Sequence, residues 1–176
     1  MLFRSPDQDY AAGHFAENYV ASDPDAAVKW AEKLASGSAS EAALVSIASG
    51  WARRDPAAAA KWAGEMPSDN PVRDRAIDDA LSYWALADQK SASSFAQQLP
   101  AGKSRDHSVN ALSRLLAVNS PALAADLASS IGDTPTRNAR VEEIAREWMK
   151  TDPPAARGWI SNCSLPLQTR KQLIEK

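Results

Sequence analysis

All six tryptophans of this 176-residue chain fall into two columns at a fixed period. Trp30, Trp62, Phe95, Leu127 and Trp159 follow one another at intervals of 32, 33, 32 and 32 residues. Tyr19, Trp51, Trp84, Leu116 and Trp148 repeat the same intervals in a second column. A period of this size means that each unit is one supersecondary motif too small to bury its own apolar face. Stability must then come from stacking unit on unit.

The text inside the period identifies the motif. Asp23-Pro24-Asp25-Ala26-Ala27-Val28-Lys29-Trp30-Ala31 returns as Asp55-Pro56 through Ala63 and as Asp152-Pro153 through Ile160, with drifted copies at Asp88-Gln89 and Ser120-Pro121. An Asp or Ser followed by Pro is a helix start. The side-chain oxygen accepts from an orphan N–H of the first turn, and Pro at the first helical position has no N–H to waste. From each start the apolar residues recur at i, i+3, i+4 and i+7, as in Ala27, Trp30, Ala31 and Leu34. This short helix, helix A, stops at Leu99-Pro100 or Met66-Pro67, or at Gly37 or Gly132.

A second helix, B, follows each polar turn, with Asn70-Pro71 and Thr134-Pro135 as expected starts and Gly37 and Gly102 in the cap position elsewhere. Its buried stripe is Leu44, Ile47, Ala48, Trp51 in one copy and Val141, Ile144, Ala145, Trp148 in another. Ala12, Phe15, Ala16 and Tyr19 fit the same frame, behind a Ser5-x-x-Gln8 capping box. The sequence therefore predicts an all-α protein, an α-solenoid of helix–turn–helix repeats wound as a right-handed superhelix. As one domain over 1–176 it reads as a lone helix over 6–21, then repeats over 23–54, 55–87, 88–119 and 120–151, and a partial one over 152–176.

The composition agrees. Alanine makes up roughly a fifth of the residues, and it loses no side-chain entropy on entering a helix. One cysteine excludes an internal disulfide framework and a Cys-rich zinc module. The net charge of −2 gives no global attraction for polyanions, which argues against nucleic acid as a partner. No apolar run approaches the ~20 residues of a membrane span, and Met1-Leu2-Phe3-Arg4-Ser5-Pro6 does not have the pattern of a signal peptide. The sequence predicts no membrane insertion, and assigns neither a compartment nor an oligomeric state.

The Asp-Pro start with Trp six residues on, in a repeat of just over thirty residues, resembles the tetratricopeptide repeat, in which Asp-Pro also opens helix A. Trp62-Ala63-Gly64-Glu65-Met66-Pro67 replaces the Leu-Gly pair and tyrosine of that family, and the period here is 32. The chain is thus tetratricopeptide-like or HEAT-like, similar to the Asp-Pro-x-Ala-Ala-x-x-Trp-Ala repeats of large bacterial proteins. The resemblance implies a scaffold that binds a protein or peptide. The peptide-clamp residues of the family have no counterpart here.

The polar residues form no arrangement suited to catalysis or metal binding. His14 and His107 lie almost three repeats apart, and no pair has metal-ligand spacing. Asp78-Asp79 and Glu142-Glu143 are adjacent in sequence, which on a helix turns them about 100° apart. Seven isolated glycines make no phosphate loop, and Cys163 shares the apolar column of Leu34, Met66, Leu99 and Ile131. The expectation is a non-enzyme with no catalytic residue, metal or cofactor.

One polar column is regular: Arg73, Arg105 and Arg137 stand at the third position of helix B, where Gln8, Ser40 and Thr169 stand in the end repeats. A cation at a helix N-terminus opposes the macrodipole. It calls for a compensating partner, either the carbonyls of the preceding helix A or one of Asp69, Asp106 and Asp133. The functional alternative is an arginine edge for an acidic peptide or phosphate groups. Beside it the outward column Lys29, Lys61, Ser94, Asp126 of helix A changes from copy to copy, as a groove tuned to one ligand would. The function expected is a non-enzymatic protein-interaction scaffold. The alternatives are a nucleic-acid-binding helical repeat and a solenoid segment of a larger, enzyme-associated protein.

Overall fold

A computed structural model describes residues 6–34 and 37–175, with side chains described from residue 10 onward. Among the described residues it is all-helical, with eleven helices and no strand. The first five are α1 (Pro6–Ser22), α2 (Pro24–Glu32), α3 (Ser38–Ala52), α4 (Pro56–Glu65) and α5 (Arg73–Ala87). They are followed by α6 (Gln89–Gln98), α7 (Lys103–Leu116), α8 (Pro121–Ser129), α9 (Thr134–Thr151), α10 (Pro153–Asn162) and α11 (Leu167–Ile174). The chain divides into two compact units, 1–84 and 85–176.

The five A helices start where the sequence places them, at Pro24, Pro56, Gln89, Pro121 and Pro153. Asp23, Asp55 and Asp152 each accept from the N–H three residues on, at 2.9, 3.0 and 3.2 Å. Asp88 accepts from Lys90 and Ser91. Ser120 departs from this: it makes no side-chain cap, and its hydroxyl bonds Gln89 Oε1 instead.

The B starts differ more. Asn70 Oδ1 accepts from the Val72 N–H at 2.9 Å, closing a turn over Pro71, so α5 begins at Arg73. Asp133, not Thr134, caps α9, because its longer carboxylate reaches the Thr136 N–H at 2.9 Å. Gly37 and Gly102 do cap α3 and α7, at φ of 144° and 150°, where a side chain would be strained. The capping box at Ser5 lies outside the described residues.

Packing in each unit runs between close neighbours. In the first, α1 packs on α2 and α3, α2 on α3, and α3 on α4. In the second, α6 packs on α7 and α8, α7 on α8, and α8 on α9, while α9, α10 and α11 pack on one another. The alanines of the stripes carry the closest contacts: Ala27, Ala31, Ala63, Ala92, Ala96, Ala124, Ala128 and Ala156 are fully buried. Residues without a side chain beyond Cβ let helices approach closely, and the larger groups fill what remains.

The aromatic columns meet in pairs. Trp51 and Trp62 lie 5.6 Å apart, centroid to centroid, and Trp148 and Trp159 6.3 Å. Each pair joins the end of a B helix to the next A helix, with the rings tilted by 31° and 48° within the centroid range of interacting aromatics. Trp148 is buried, but Trp30, Trp51, Trp62 and Trp159 are only half-buried. Phe15 departs from its column. Ile47, Ala80, Leu112 and Ile144 are buried there, whereas Phe15 is 51% exposed with Trp30 at 4.7 Å on one side.

Trp62→Ala should therefore cost about 2–3 kcal/mol, below the full burial value for a tryptophan, through loss of the Trp51 contact. Lys61→Ala, on the exposed side of the same helix, should cost less than about 0.5 kcal/mol. Urea melts of both variants give the comparison; equal losses would mean that the helix faces are assigned wrongly.

Candidate functional site

The regular arginine column sits at the turn from each helix A to its helix B. Arg73 Nη2 donates to the Gly64 carbonyl at 3.5 Å, and Arg105 Nε to that of Gln97 at 3.1 Å. Arg137 Nη1 donates to the carbonyls of Ile131 at 2.8 Å and Gly132 at 3.3 Å. The acceptors lie in or just beyond the last turn of α4, α6 and α8. Helix C-termini carry carbonyls without intrahelical partners and the negative end of the dipole. Each arginine thus sits at the wrong end of its own helix and at the right end of the one before it.

The column has two further members: Arg170, which the sequence spacing passes over, and Ser40, which it places at this position. Arg170 Nη1 donates to the Ser161 carbonyl at 2.6 Å, and Ser40 Oγ to the Ala31 carbonyl at 3.3 Å. A strict period of 32 places Thr169 in the column, but α10 is one residue longer than α8, ten against nine, and Arg170 stands there instead. The same one-residue step separates Ser40 from Arg73.

The acidic partners are rearranged relative to expectation. Arg73 Nη1 faces Asp74 at 3.4 Å, and Arg105 Nη1 faces Asp106 at 3.6 Å. The Asp106 carboxylate also accepts the N–H groups of Gly132 and Asp133, each at 2.9 Å, and so ties α7 to the turn between α8 and α9. A Cβ at Gly132 would stand 3.1 Å from Asp106 Oδ2, so the approach is tight. These partners are 26 and 27 residues apart in sequence, a separation with no local signature. Asp133 is engaged in its cap, accepting from both the N–H and the hydroxyl of Thr136.

Arg73 and Arg105 have little left to offer a ligand, with 7% and 16% of their side chains accessible. The outward column stands differently. Lys29, Lys61, Ser94 and Asp126 are all exposed. Ser94 Oγ accepts from Gln98, and Asp126 accepts the indole N–H of Trp159 at 2.7 Å, so the acid of this column already binds the next repeat. His14 is exposed beside Asn18, at 3.1 Å from its side-chain nitrogen, and His107 is exposed on α7. Cys163 is half-buried. Among the described residues no three His, Cys, Asp or Glu converge on a metal-sized site, and no helix is long and apolar enough to cross a membrane.

No family model matches the chain, and comparison with curated proteins and with solved structures gives no significant match.

Two outcomes follow from this geometry. Arg137→Ala removes two charge-assisted bonds to helix-end carbonyls and should lower stability by about 1–3 kcal/mol, while Lys61→Ala does not. Calorimetric melting checks it; an unchanged melt would mean that the column does not fasten the turns.

The second outcome concerns acid. The Thr136 hydroxyl, then its N–H, hold the Asp133 carboxyl below the usual value of 3.8, and Ser91 does the same for Asp88. A depressed folded-state value contributes stability that is complete above the unfolded value and is lost as pH falls through the folded one. The stability gap between wild type and Asp88→Asn/Asp133→Asn should be constant from pH 5 to 8 and close below about pH 4. Melting temperatures across that range test it.

Proposed function

We propose that the chain is an α-solenoid of about five 32-residue helix–turn–helix repeats, tetratricopeptide-like or HEAT-like, serving as a non-enzymatic scaffold for a protein or peptide partner. The period in the sequence supports the solenoid, as does packing that, among the described residues, runs mainly between adjacent and next-adjacent helices of each unit. Contact with near neighbours only is the mark of stacked repeats.

The observation that carries the functional part is the contrast between columns. Core columns keep their chemistry and burial from copy to copy, as in Ala27, Ala59, Ala92, Ala124 and Ala156. The outward position of the same helices is exposed in each of these copies, but its residue changes from Lys29 and Lys61 to Ser94 and Asp126. A constant frame with a free surface is what a repeat protein offers a ligand. The arginines of the B column belong to the frame.

The test is selection of a peptide-display library on the purified chain, with the selected peptides mapped by amide chemical shifts. Shifts should fall on equivalent positions of successive repeats. Arg73→Gln/Arg105→Gln/Arg137→Gln should melt earlier with affinity unchanged within about twofold. Selection that enriches no peptide would remove the scaffold function. A tenfold affinity loss at an unchanged melting temperature would return the arginines to the binding surface.

A further inference from the structure

In the second unit a groove of about 470 Å3 opens between α9, α10 and α11. Met149, Pro153 and Leu173 give it an apolar lining, and Arg146, Lys150 and Arg157 stand around it. Glu142 is the single acid among the lining residues, so the groove carries a net charge of +2 in a chain whose total is −2. Glu142 is bound to Arg146, and Lys150 pairs with Glu147 at 2.7 Å outside the groove. Arg157 is exposed, and its guanidinium has no partner among the described residues.

Arg157 also breaks a column. The equivalent residues, five after each helix A cap, are Val28, Ala60, Ser93 and Ala125, and all four are buried. Only in α10 is this position charged and exposed, and there it lines the groove.

From this juxtaposition of an apolar lining with an unpaired guanidinium we infer that the α9–α10–α11 groove binds a short acidic peptide segment in extended form. The inference rests on the scaffold reading and gives it one site and one partner chemistry. The lining of α9 runs from Glu142 to Lys150, which at 1.5 Å per residue is about 12 Å. An extended chain rises about 3.3 Å per residue, so about four residues fill that length. Their side chains alternate, which sends apolar groups onto Met149 and Leu173 and carboxylates to the cationic rim. Arg157 takes a carboxylate through paired N–H donors, for which its planar fork is suited.

The probe is a fluorescein-labelled octapeptide with a Glu-Leu-Glu-Leu centre flanked by Gly and Ser, read by anisotropy on the full chain. It should bind more weakly as salt rises, and a Lys-Leu-Lys-Leu counterpart should not bind. Arg157→Glu should weaken it at least tenfold and Arg157→Gln several-fold, with melting temperatures unchanged. Lys103→Glu, the same charge change at an exposed site outside the groove, should leave it within twofold. Equal binding by wild type and Arg157→Glu, or by both peptides, would overturn the proposal. So would sedimentation showing a dimer that Arg157→Glu dissociates, since a second copy would then fill the groove. If display-selected peptides bind but their shifts fall outside α9–α11, the groove fails and the scaffold stands; if none binds anywhere, both fail.

Discussion

The A helices are only nine or ten residues long, and the rest of the structure depends on that limit. Isolated helices shorter than ~12–15 residues are marginal in water, because nucleation costs more than so few hydrogen bonds return. Each A helix therefore depends on its start, capped by an Asp side chain in four of the five, and on a buried alanine stripe packed against neighbouring helices. Alanine suits this twice over. It has the highest helix propensity, and it lets neighbours approach until their backbones are nearly in contact. The cost is a core with little apolar area per residue. The aromatic pairs between the end of each B helix and the following A helix, such as Trp51 with Trp62, supply part of what alanine cannot.

The turn between A and B carries the second constraint. A helix that ends after nine or ten residues leaves its last carbonyls close to the next helix start, and water is partly excluded there. The guanidinium of Arg73, Arg105, Arg137 or Arg170 reaches back to those carbonyls, and Ser40 does so with a hydroxyl. One group thus serves two helix ends. Its charge is unfavourable to the dipole of its own helix and favourable to that of the preceding one, and the direct hydrogen bonds decide the balance. The same economy appears in Asp106, which faces Arg105 and fastens the Gly132–Asp133 turn.

With Arg73, Arg105, Arg137 and Asp126 already engaged within the chain, the recognition surface we propose is the rest of the exposed helix A column and the α9–α10–α11 groove. Arg157 is informative because it stands where the repeat pattern asks for a small buried residue. A frame tolerates such a break only where the side chain has solvent or a ligand to face.

Much was legible in the sequence because it depends on local chemistry and on a period. The all-α class, five A-helix starts and the buried alanine stripes all follow from spacing, capping and the need to satisfy helix ends. What the sequence alone could not decide lies across space. Whether an arginine meets a carbonyl or solvent depends on how many residues separate it from the preceding helix start, and one extra residue in α10 puts Arg170 in a place that strict counting gives to Thr169. Phe15 and Ile47 share a column, yet one is half exposed and the other buried, because burial depends on the neighbouring helix and not on the residue. The Asp106 clip, the Trp159–Asp126 bond and the α9–α10–α11 groove join residues from different helices, and only the packed tertiary structure brings them together.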